Sequence, residues 1–364
     1  MGDMNQKLIC QLDSAIQYAI ESDYDNYNKA VDLVQRLHTK KNICIFGMGR
    51  FFIEGYPYIK HLVKVKYVCD SNVGNIVKSG IELYGLECIN LDELTKLEDV
   101  ICIIMVGAKY KEVKKQLDDM YIENVYIGEL LLNCYTKKHD VAWFKKEREN
   151  ILETLHLFED DWSKECFVEI ICNRIAPHLA KKSFLDIQTE GEYFETGLWE
   201  YNREEIFVDV GAYTGDTIET FLDCANRNNV ENTKVYAFEM DKSIYEQLKT
   251  NISKLNMQEE DVELYNIGIA ASVDEKNGFT SLDTILKDKE ISLVKMDIEG
   301  YELEALRGAE RILIEQKPKM AICLYHKLED LWEIPQYIKM LNPNYKMYIR
   351  HHSPVAWDSV LYVR

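Results

Sequence analysis

The sequence lacks the patterns that mark secreted, membrane-spanning and zinc-binding proteins. Its 10 cysteines are scattered and never form a C-x-x-C pair, so a structural zinc site is not predicted. The longest apolar run, 101–106, is far shorter than the roughly 20 residues of a membrane-spanning helix. No basic segment followed by an apolar one opens the chain, and Gln6 stands where a myristoylation signal has Ser or Thr. We therefore expect a cytoplasmic protein with reduced thiols and no membrane span.

Positive charge is also scarce. Lys and Arg total 43 against 62 Asp and Glu among 364 residues, which gives a net charge of −19. A surface this acidic repels phosphate backbones, and no groove-sized basic patch interrupts it. Nucleic acid is therefore not predicted as a partner.

Glycine-rich and proline-rich tethers are missing too, so the folded units are expected to pack together. The length predicts two such units. Hydrophobic periodicity divides the chain into a helical segment 1–40, a Rossmann-like α/β domain 41–135, a helical connector 136–200 and a larger α/β domain 201–364.

The larger domain has a strand pattern that can be counted. Its predicted strands are 206–210, 234–239, 262–267, 291–297, 319–325, 346–350 and 356–363. Only about five residues join the last two strands, too few for a parallel crossover, so these two form an antiparallel hairpin. Six parallel strands with a seventh inserted antiparallel predict the class I methyltransferase fold, which binds S-adenosylmethionine (SAM), rather than the six-stranded dinucleotide fold.

The first strand of that domain ends in an acid followed by a glycine turn, Asp209-Val-Gly-Ala-Tyr-Thr-Gly-Asp-Thr217. Gly211 and Gly215 let the backbone approach a ligand without a Cβ clash. Acids beside the turn suit a ligand that carries an ammonium and a sulfonium better than they suit a pyrophosphate. Thr214 or Thr217 is expected to cap the following helix or to hydrogen bond to the ligand.

A second acid, Glu239, ends the next strand, where a carboxylate accepts hydrogen bonds from both ribose hydroxyls. Asn266 ends the third strand, where it is expected to meet an adenine ring. The predicted cofactor-binding residues are Asp209, Gly211, Tyr213, Gly215, Thr217, Glu239, Asn266 and Asp297.

The region 185–364 resembles the FkbM family of SAM-dependent methyltransferases. Besides the glycine turn, the matching pieces are Ala237-Phe-Glu-Met-Asp241, Thr280-Ser-Leu-Asp283, Lys295-Met-Asp-Ile-Glu-Gly-Tyr-Glu302, Leu306-Arg-Gly308 and Tyr325-His-Lys327. Tyr213 departs from the pattern, because many members have Asn there. The resemblance implies methyl transfer from SAM, usually to oxygen, in pathways that build glycans or secondary metabolites. The expected acceptor is a sugar, glycan or related small molecule, with nucleotide-linked forms included, and homo-oligomer formation stays open.

A hydroxyl acceptor has to lose its proton during in-line methyl transfer, which calls for a general base or a metal ion. Candidates follow strands four to six, where open α/β sheets bind ligands: Asp297, Glu299, His326, Lys327, His351 and His352. We predict His326 as the base and Asp297 as the residue that orients it, binds the acceptor or holds a divalent cation, with Glu299 beside them. Carboxylate oxygens suit Mg²⁺, but no ligand spacing requires a metal, so the sequence favours a base.

The smaller domain carries a weaker nucleotide pattern. Gly47 and Gly49 follow a strand and Asp70 follows the next, but Phe52 replaces the expected third glycine. The segment is similar to Rossmann-like domains found beside sugar-modifying enzymes, and scaffolding is its alternative role. Two other functions stay open, an NAD-dependent sugar oxidoreductase that uses Gly47, Gly49 and Asp70, and a non-catalytic nucleotide-binding or assembly protein.

An aromatic patch formed by Tyr193, Phe194 and Trp199 precedes the first strand of the larger domain. Packing between the domains and a lid over the site are its two interpretations.

Overall fold

The computed structural model describes most of the chain. The described residues are 2–21, 33–49, 52, 56, 60, 63–70, 85–106, 110–126, 141–176, 179–194, 197–198, 200–255 and 257–364. Within these residues, no helix combines the length and apolar character that crossing a bilayer requires.

The smaller sheet has five parallel strands in the order β3-β2-β1-β4-β5. They are β1 (Asn42–Phe46), β2 (Tyr67–Cys69), β3 (Glu87–Ile89), β4 (Val100–Ile104) and β5 (Glu123–Tyr126). Helices α2 (Leu91–Leu94) and α3 (Tyr110–Asp119) connect β3 to β4 and β4 to β5. The sequence pattern misses β3, because this strand is short and two of its three residues are exposed, so no apolar run marks it.

The larger sheet has seven strands in the order β13-β14-β12-β11-β6-β7-β8. They are β6 (Glu204–Val210), β7 (Asn232–Phe238), β8 (Val262–Tyr265), β11 (Leu293–Met296), β12 (Lys319–Cys323), β13 (Met347–His351) and β14 (Ser359–Val363), with a separate pair β9 (Gly268–Ile269) and β10 (Phe279–Thr280). Strand β14 runs antiparallel to both of its neighbours, and the other strands run parallel. The predicted sheet, with its seventh strand inserted antiparallel, is confirmed.

Helices form a layer beside this sheet, and the N-terminal helix joins it from far away in the sequence. The layer contains α1 (Gly2–Glu21), α4 (Val141–Thr154), α5 (Asp161–Ile175) and α6 (Phe184–Ile187). Helix α1 packs against α4 and α5, and its Leu12 and Ile16 are buried in one cluster with Phe167. Spacings of three and four residues in α1 produce this apolar face.

The remaining helices connect the strands of the larger sheet. They are α7 (Asp216–Arg227), α8 (Lys242–Ile252), α9 (Leu282–Ile285), α10 (Glu302–Arg307) and α11 (Asp330–Leu341). Helix α8 begins at Asp241, whose carboxylate accepts hydrogen bonds from the amides of Ser243 and Ile244. The β13–β14 connection packs onto the smaller sheet, since its Val355 and Trp357 are buried in the hydrophobic cluster of that sheet.

Candidate active site

Four of the predicted site residues meet at one edge of the larger sheet. Asp209 lies near the end of β6, Glu239 follows β7, Asp297 follows β11, and His326 lies just beyond β12. These strands are parallel neighbours, so their carboxyl ends lie at the same edge. Ligands bind at this edge in open α/β sheets.

Asp209 is fully buried, and Lys295 is its partner. The two residues are opposite each other on β6 and β11, and Lys295 Nζ lies 3.1 Å from Asp209 Oδ1. The same Nζ donates to the carbonyl oxygen of Gly211 at 2.7 Å. Burial raises the pKa of Asp209 to about 6, although the charge of Lys295 opposes this. Asp209 therefore supports the glycine turn from inside the protein, and its contact with a cofactor stays a prediction.

The glycine turn passes very close to the strand end beside it. Gly211 has φ of +82°, and a Cβ there would lie 2.0 Å from the carbonyl oxygen of Asp297, so a side chain does not fit. Gly215, with φ of +90°, is the N-cap of α7. Thr217 is buried just inside that helix, which has no side-chain cap. Tyr213 is 57% exposed at the tip of the turn.

Glu239 links the loops that follow β6 and β7. Its Oε2 accepts a hydrogen bond from the amide of Tyr213 at 3.1 Å, and its Oε1 accepts one from the amide of Asp241 at 2.7 Å. The side-chain amide of Asn266 donates to the carbonyl oxygens of Glu239 at 2.8 Å and Met240 at 3.1 Å. The structure thus brings Glu239 and Asn266 together, as their strand-end positions predict.

Asp297 is held by two tyrosine hydroxyls. Tyr325 donates to its Oδ1 and Tyr193 to its Oδ2, each at 3.0 Å. Burial acts to raise the pKa of Asp297, but the charges of Lys295 and His326 act to lower it. With the two hydroxyls they keep the pKa below its usual value, so the carboxylate is ionised at neutral pH.

His326 is buried beside Asp297 and faces carboxylates on both sides of its ring. Its Nε2 lies 3.5 Å from Asp297 Oδ1 and 3.6 Å from Glu299 Oε2, and its Nδ1 lies 3.0 Å from Glu302 Oε1. Neither ring nitrogen has a partner with hydrogen-bond geometry among the described residues. Burial acts to lower the pKa of His326, but the nearby carboxylates, Glu302 foremost, raise it above its ordinary value.

Glu302 shapes the turn that follows β11. It is fully buried, and its Oε1 accepts hydrogen bonds from the amides of Ile298 at 2.8 Å and Gly300 at 3.3 Å. Lys327 supports the same turn by donating from Nζ to the carbonyl oxygen of Gly300. Asp297, Glu302 and His326 offer ligand atoms within 4.8 Å of one another, and the described parts of the chain contain no other such trio of His, Cys, Asp or Glu.

Sequence reasoning did not assign a site role to Glu302, Lys295 or Tyr325. All three lie in the motifs Lys295–Glu302 and Tyr325–Lys327, which carry the family resemblance, so the signal was present.

Two further candidates, His351 and His352, belong to the β13–β14 hairpin. His351 Nδ1 lies 2.9 Å from the hydroxyl of Ser359. His352 lies between the carbonyl oxygen of Thr189, at 3.0 Å, and the hydroxyl of Tyr362, at 2.8 Å. Burial lowers the pKa of His351 to about 3 and that of His352 to about 4, so both rings are neutral at pH 7.

The predicted aromatic patch divides between the core and the site. Phe194 is buried, with its ring centroid 5.6 Å from that of Phe207. Tyr193 has φ of +62°, and its amide donates to the hydroxyl of Tyr362 at 2.9 Å while its own hydroxyl reaches Asp297. Trp199 lies outside the described residues.

In the smaller sheet, the predicted glycine turn and acid also come together. Asp70 Oδ2 accepts a hydrogen bond from the amide of Met48 at 2.9 Å. Gly47 has φ of +104°, and a Cβ there would lie 2.3 Å from Cγ1 of Val106. These contacts hold the turn, and nucleotide binding there stays a prediction.

The region that contains Asp297 and His326 matches a known protein family. Residues 279–351, about a fifth of the chain, match the family model of the methyltransferase FkbM domain. The predicted resemblance is confirmed for this region. None of the curated proteins compared with the chain matches it.

One solved structure extends the likeness to the whole fold. The structure of a methyltransferase FkbM from Methylobacillus flagellatus KT is similar over 99% of both chains, with a TM-score of 0.69 and 21% sequence identity. An rRNA methylase from Streptococcus thermophilus matches 44% of this chain and 86% of its own, with a TM-score of 0.32 and 19% identity. The first likeness shows that the chain has a methyltransferase fold.

Proposed function

We propose that this protein is a SAM-dependent methyltransferase that methylates a hydroxyl group of a sugar, glycan or related small molecule. One observation carries the proposal: the glycine turn and the Asp297–His326 pair are contiguous. The backbone of Asp297 leaves no room for a Cβ at Gly211. A cofactor on the turn therefore brings its methyl group next to polar side chains that can receive an acceptor.

The cofactor side consists of the glycine turn and the carboxylates of Glu239 and Asp216. Each oxygen of Glu239 accepts one hydrogen bond from a backbone amide and keeps a lone pair for a ribose hydroxyl. Asp216, exposed in the first turn of α7, supplies negative charge for the ammonium group of SAM. Lys295 neutralises Asp209 below the turn, so the cationic cofactor meets no uncompensated positive charge there.

Residues on the acceptor side orient the acceptor hydroxyl and remove its proton. Glu302 beside Nδ1 of His326 favours the tautomer that carries its proton on Nδ1, which leaves Nε2 as an acceptor. Nε2 faces Asp297, so a hydroxyl held by Asp297 lies within reach of the base. The methyl group then moves in line from sulfur to oxygen, and S-adenosylhomocysteine (SAH) leaves.

The sugar class of the acceptor is supported by the family resemblance and by exposed aromatic surface. Tyr301 is 52% exposed, directly follows the Glu299–Gly300 turn, and its ring stacks on Phe279 at a centroid distance of 5.8 Å. Aromatic faces with a polar tip suit the apolar face and the hydroxyls of a sugar ring.

Calorimetric titration with SAH tests the cofactor side. We expect micromolar binding to the wild type, about −8 kcal/mol, and at least tenfold weaker binding to Glu239→Ala. Glu246→Ala is the matched control, because Glu246 is exposed on α8 and pairs with Lys249. If the wild type binds no SAH, the proposal is wrong. If it binds NADH instead, the alternative at Gly47 and Asp70 gains support.

Methyl transfer to a panel of sugars and nucleotide-sugars, followed by mass spectrometry, tests the acceptor. Transfer to amines but to none of the hydroxyl compounds would contradict the proposed acceptor class while leaving the cofactor side intact.

A further inference from the structure

The imidazole of His326 is buried among carboxylates, and in the described parts of the chain none of them meets it with hydrogen-bond geometry. Both ring nitrogens and Oε2 of Glu302 are buried polar atoms without a partner among the described residues. Leaving such atoms unsatisfied costs free energy, and an ion, a ligand or water accounts for buried atoms that no protein group satisfies. The site therefore has polar groups in place for a further ligand.

The spacing of these groups matches the ligands of a metal ion. A tetrahedral cation with bonds of about 2.1 Å holds its ligands about 3.4 Å from one another. His326 Nε2 lies 3.5 Å from Asp297 Oδ1 and 3.6 Å from Glu299 Oε2. Both distances are long for a hydrogen bond to nitrogen and close to this ligand spacing.

Glu302 lies beside the other nitrogen of the His326 imidazole ring. Its Oε1 lies 3.0 Å from His326 Nδ1. In metal sites, the histidine nitrogen that does not bind the ion faces a carboxylate or carbonyl, which orients the ring. Glu302 is itself fixed by the amides of Ile298 and Gly300, so the ring has a rigid support.

Charge also favours a cation. Asp297, Glu299 and Glu302 surround a single histidine. Among the neighbouring lysines, Lys295 is paired with Asp209, and Lys327 donates to the carbonyl oxygen of Gly300. The centre therefore has more negative than positive charge.

We propose that His326 Nε2 and Asp297 bind one divalent cation of the first transition row, with water completing its coordination, Glu302 orienting the histidine and the exposed Glu299 adding negative charge beside the ion. One imidazole nitrogen with carboxylate oxygens suits Mn²⁺ or Zn²⁺ better than Ca²⁺, which takes oxygen ligands only. The role of the cation, though not its binding, rests on the proposed function. With the cation bound, Nε2 of His326 is a ligand and no longer the base. The cation holds the acceptor hydroxyl and lowers its pKa, so the proton leaves to water. The oxygen then forms a bond to the methyl carbon while the carbon–sulfur electron pair stays on sulfur.

Titration of the chelator-treated full chain with Mn²⁺ alone, followed by electron paramagnetic resonance of the free ion, tests the site. We expect one Mn²⁺ per chain in the wild type and at least tenfold weaker binding in Asp297→Asn and in His326→Gln. Glu299→Gln, at a position whose side chain is 85% exposed, also weakens binding and tests the site without disturbing the core. Glu246→Gln is the matched control and keeps the affinity for Mn²⁺, because Glu246 is exposed on α8 and pairs with Lys249.

Wild type that binds no stoichiometric Mn²⁺, or variants that bind it equally well, would overturn the cation site. SAH titrations of the same samples separate this failure from that of the proposed function. SAH binding without Mn²⁺ binding leaves His326 as the base. Mn²⁺ binding without SAH binding keeps the cation site and removes the methyltransferase proposal.

Discussion

The hydroxyl of Tyr193 donates a hydrogen bond to Oδ2 of Asp297 at 3.0 Å, although 104 residues separate them in the chain. Tyr193 holds this position with φ of +62°, a conformation that costs about 1–2 kcal/mol for a residue with a Cβ. The segment before it is attached to the β13–β14 hairpin, since the amide of Thr189 donates to the carbonyl oxygen of His351 at 2.8 Å. A surface segment is thus tied to the candidate active site.

Removing the hydroxyl of Tyr193 tests whether its hydrogen bond to Asp297 contributes to catalysis. In Tyr193→Phe the ring stays near Lys295, whose Nζ lies 5.3 Å from the ring centroid, but Asp297 loses one donor. A hydrogen bond to a charged group contributes about 1.5–3 kcal/mol, so we expect kcat to fall at least tenfold while the affinity for SAH is unchanged. Steady-state kinetics with an identified acceptor and calorimetry with SAH check this. Tyr245→Phe, whose hydroxyl donates to Leu264, is the control. Equal losses in both variants would contradict the role.

The buried Asp209–Lys295 pair is expected to stabilise the glycine turn. Lys295→Met leaves the buried carboxylate of Asp209 without its partner, which costs about 3–5 kcal/mol in the free energy of unfolding. Adding Asp209→Asn to the same chain removes the uncompensated charge and recovers part of that loss. Urea unfolding of the wild type, both single variants and the double variant measures the coupling free energy between Asp209 and Lys295. Simple addition of the two single losses would show that the pair does not act as a unit.

Gly211 and Gly278 both have positive φ, but only Gly211 lies too close to a neighbour to hold a side chain. Replacing each with Ala therefore distinguishes a steric clash from backbone strain. Gly278 has φ of +73° and nothing within 4 Å of an added Cβ, so Gly278→Ala costs about 1–2 kcal/mol. Gly211→Ala adds a clash with the carbonyl oxygen of Asp297 and costs about 1–3 kcal/mol more. Thermal unfolding measures both, and SAH titration is expected to show weaker binding in Gly211→Ala alone. Similar results for the two variants would contradict the close approach.

Two buried histidines make stability depend on pH. In the folded protein the pKa of His351 is lowered to about 3 and that of His352 to about 4, against about 6.5 in an unfolded chain. Between pH 6.5 and 4 the unfolded state therefore binds more protons, so these residues reduce stability as the pH falls. Each contributes up to about 1.4 kcal/mol per pH unit.

Urea unfolding at pH 7, 6 and 5 measures this dependence. His352→Gln removes one titrating group and is expected to flatten the decline by up to about 1.4 kcal/mol per pH unit. An unchanged slope in that variant would mean that His352 titrates alike in both states.

Much of the larger domain could be predicted from the sequence, because its signals are local. Apolar runs at regular intervals reveal the strands, and the short connection, predicted at 351–355 and found at 352–358, forces the last two into a hairpin. The glycine turn and the acids at strand ends identify the edge where Asp209, Glu239 and Asp297 meet. Their roles in binding and catalysis stay predictions.

Only the tertiary structure decides which distant side chains meet. Register across β6 and β11 places Lys295 opposite Asp209, and packing brings Tyr193 to Asp297 and α1 onto α5. The spacing of apolar residues shows which face of a helix or strand is buried, because burial follows the period of the element. It does not show which other element packs against that face. His326 illustrates both cases. Its position after a strand follows from the sequence, but its carboxylate neighbours depend on how the turn from Asp297 to Glu302 folds against it.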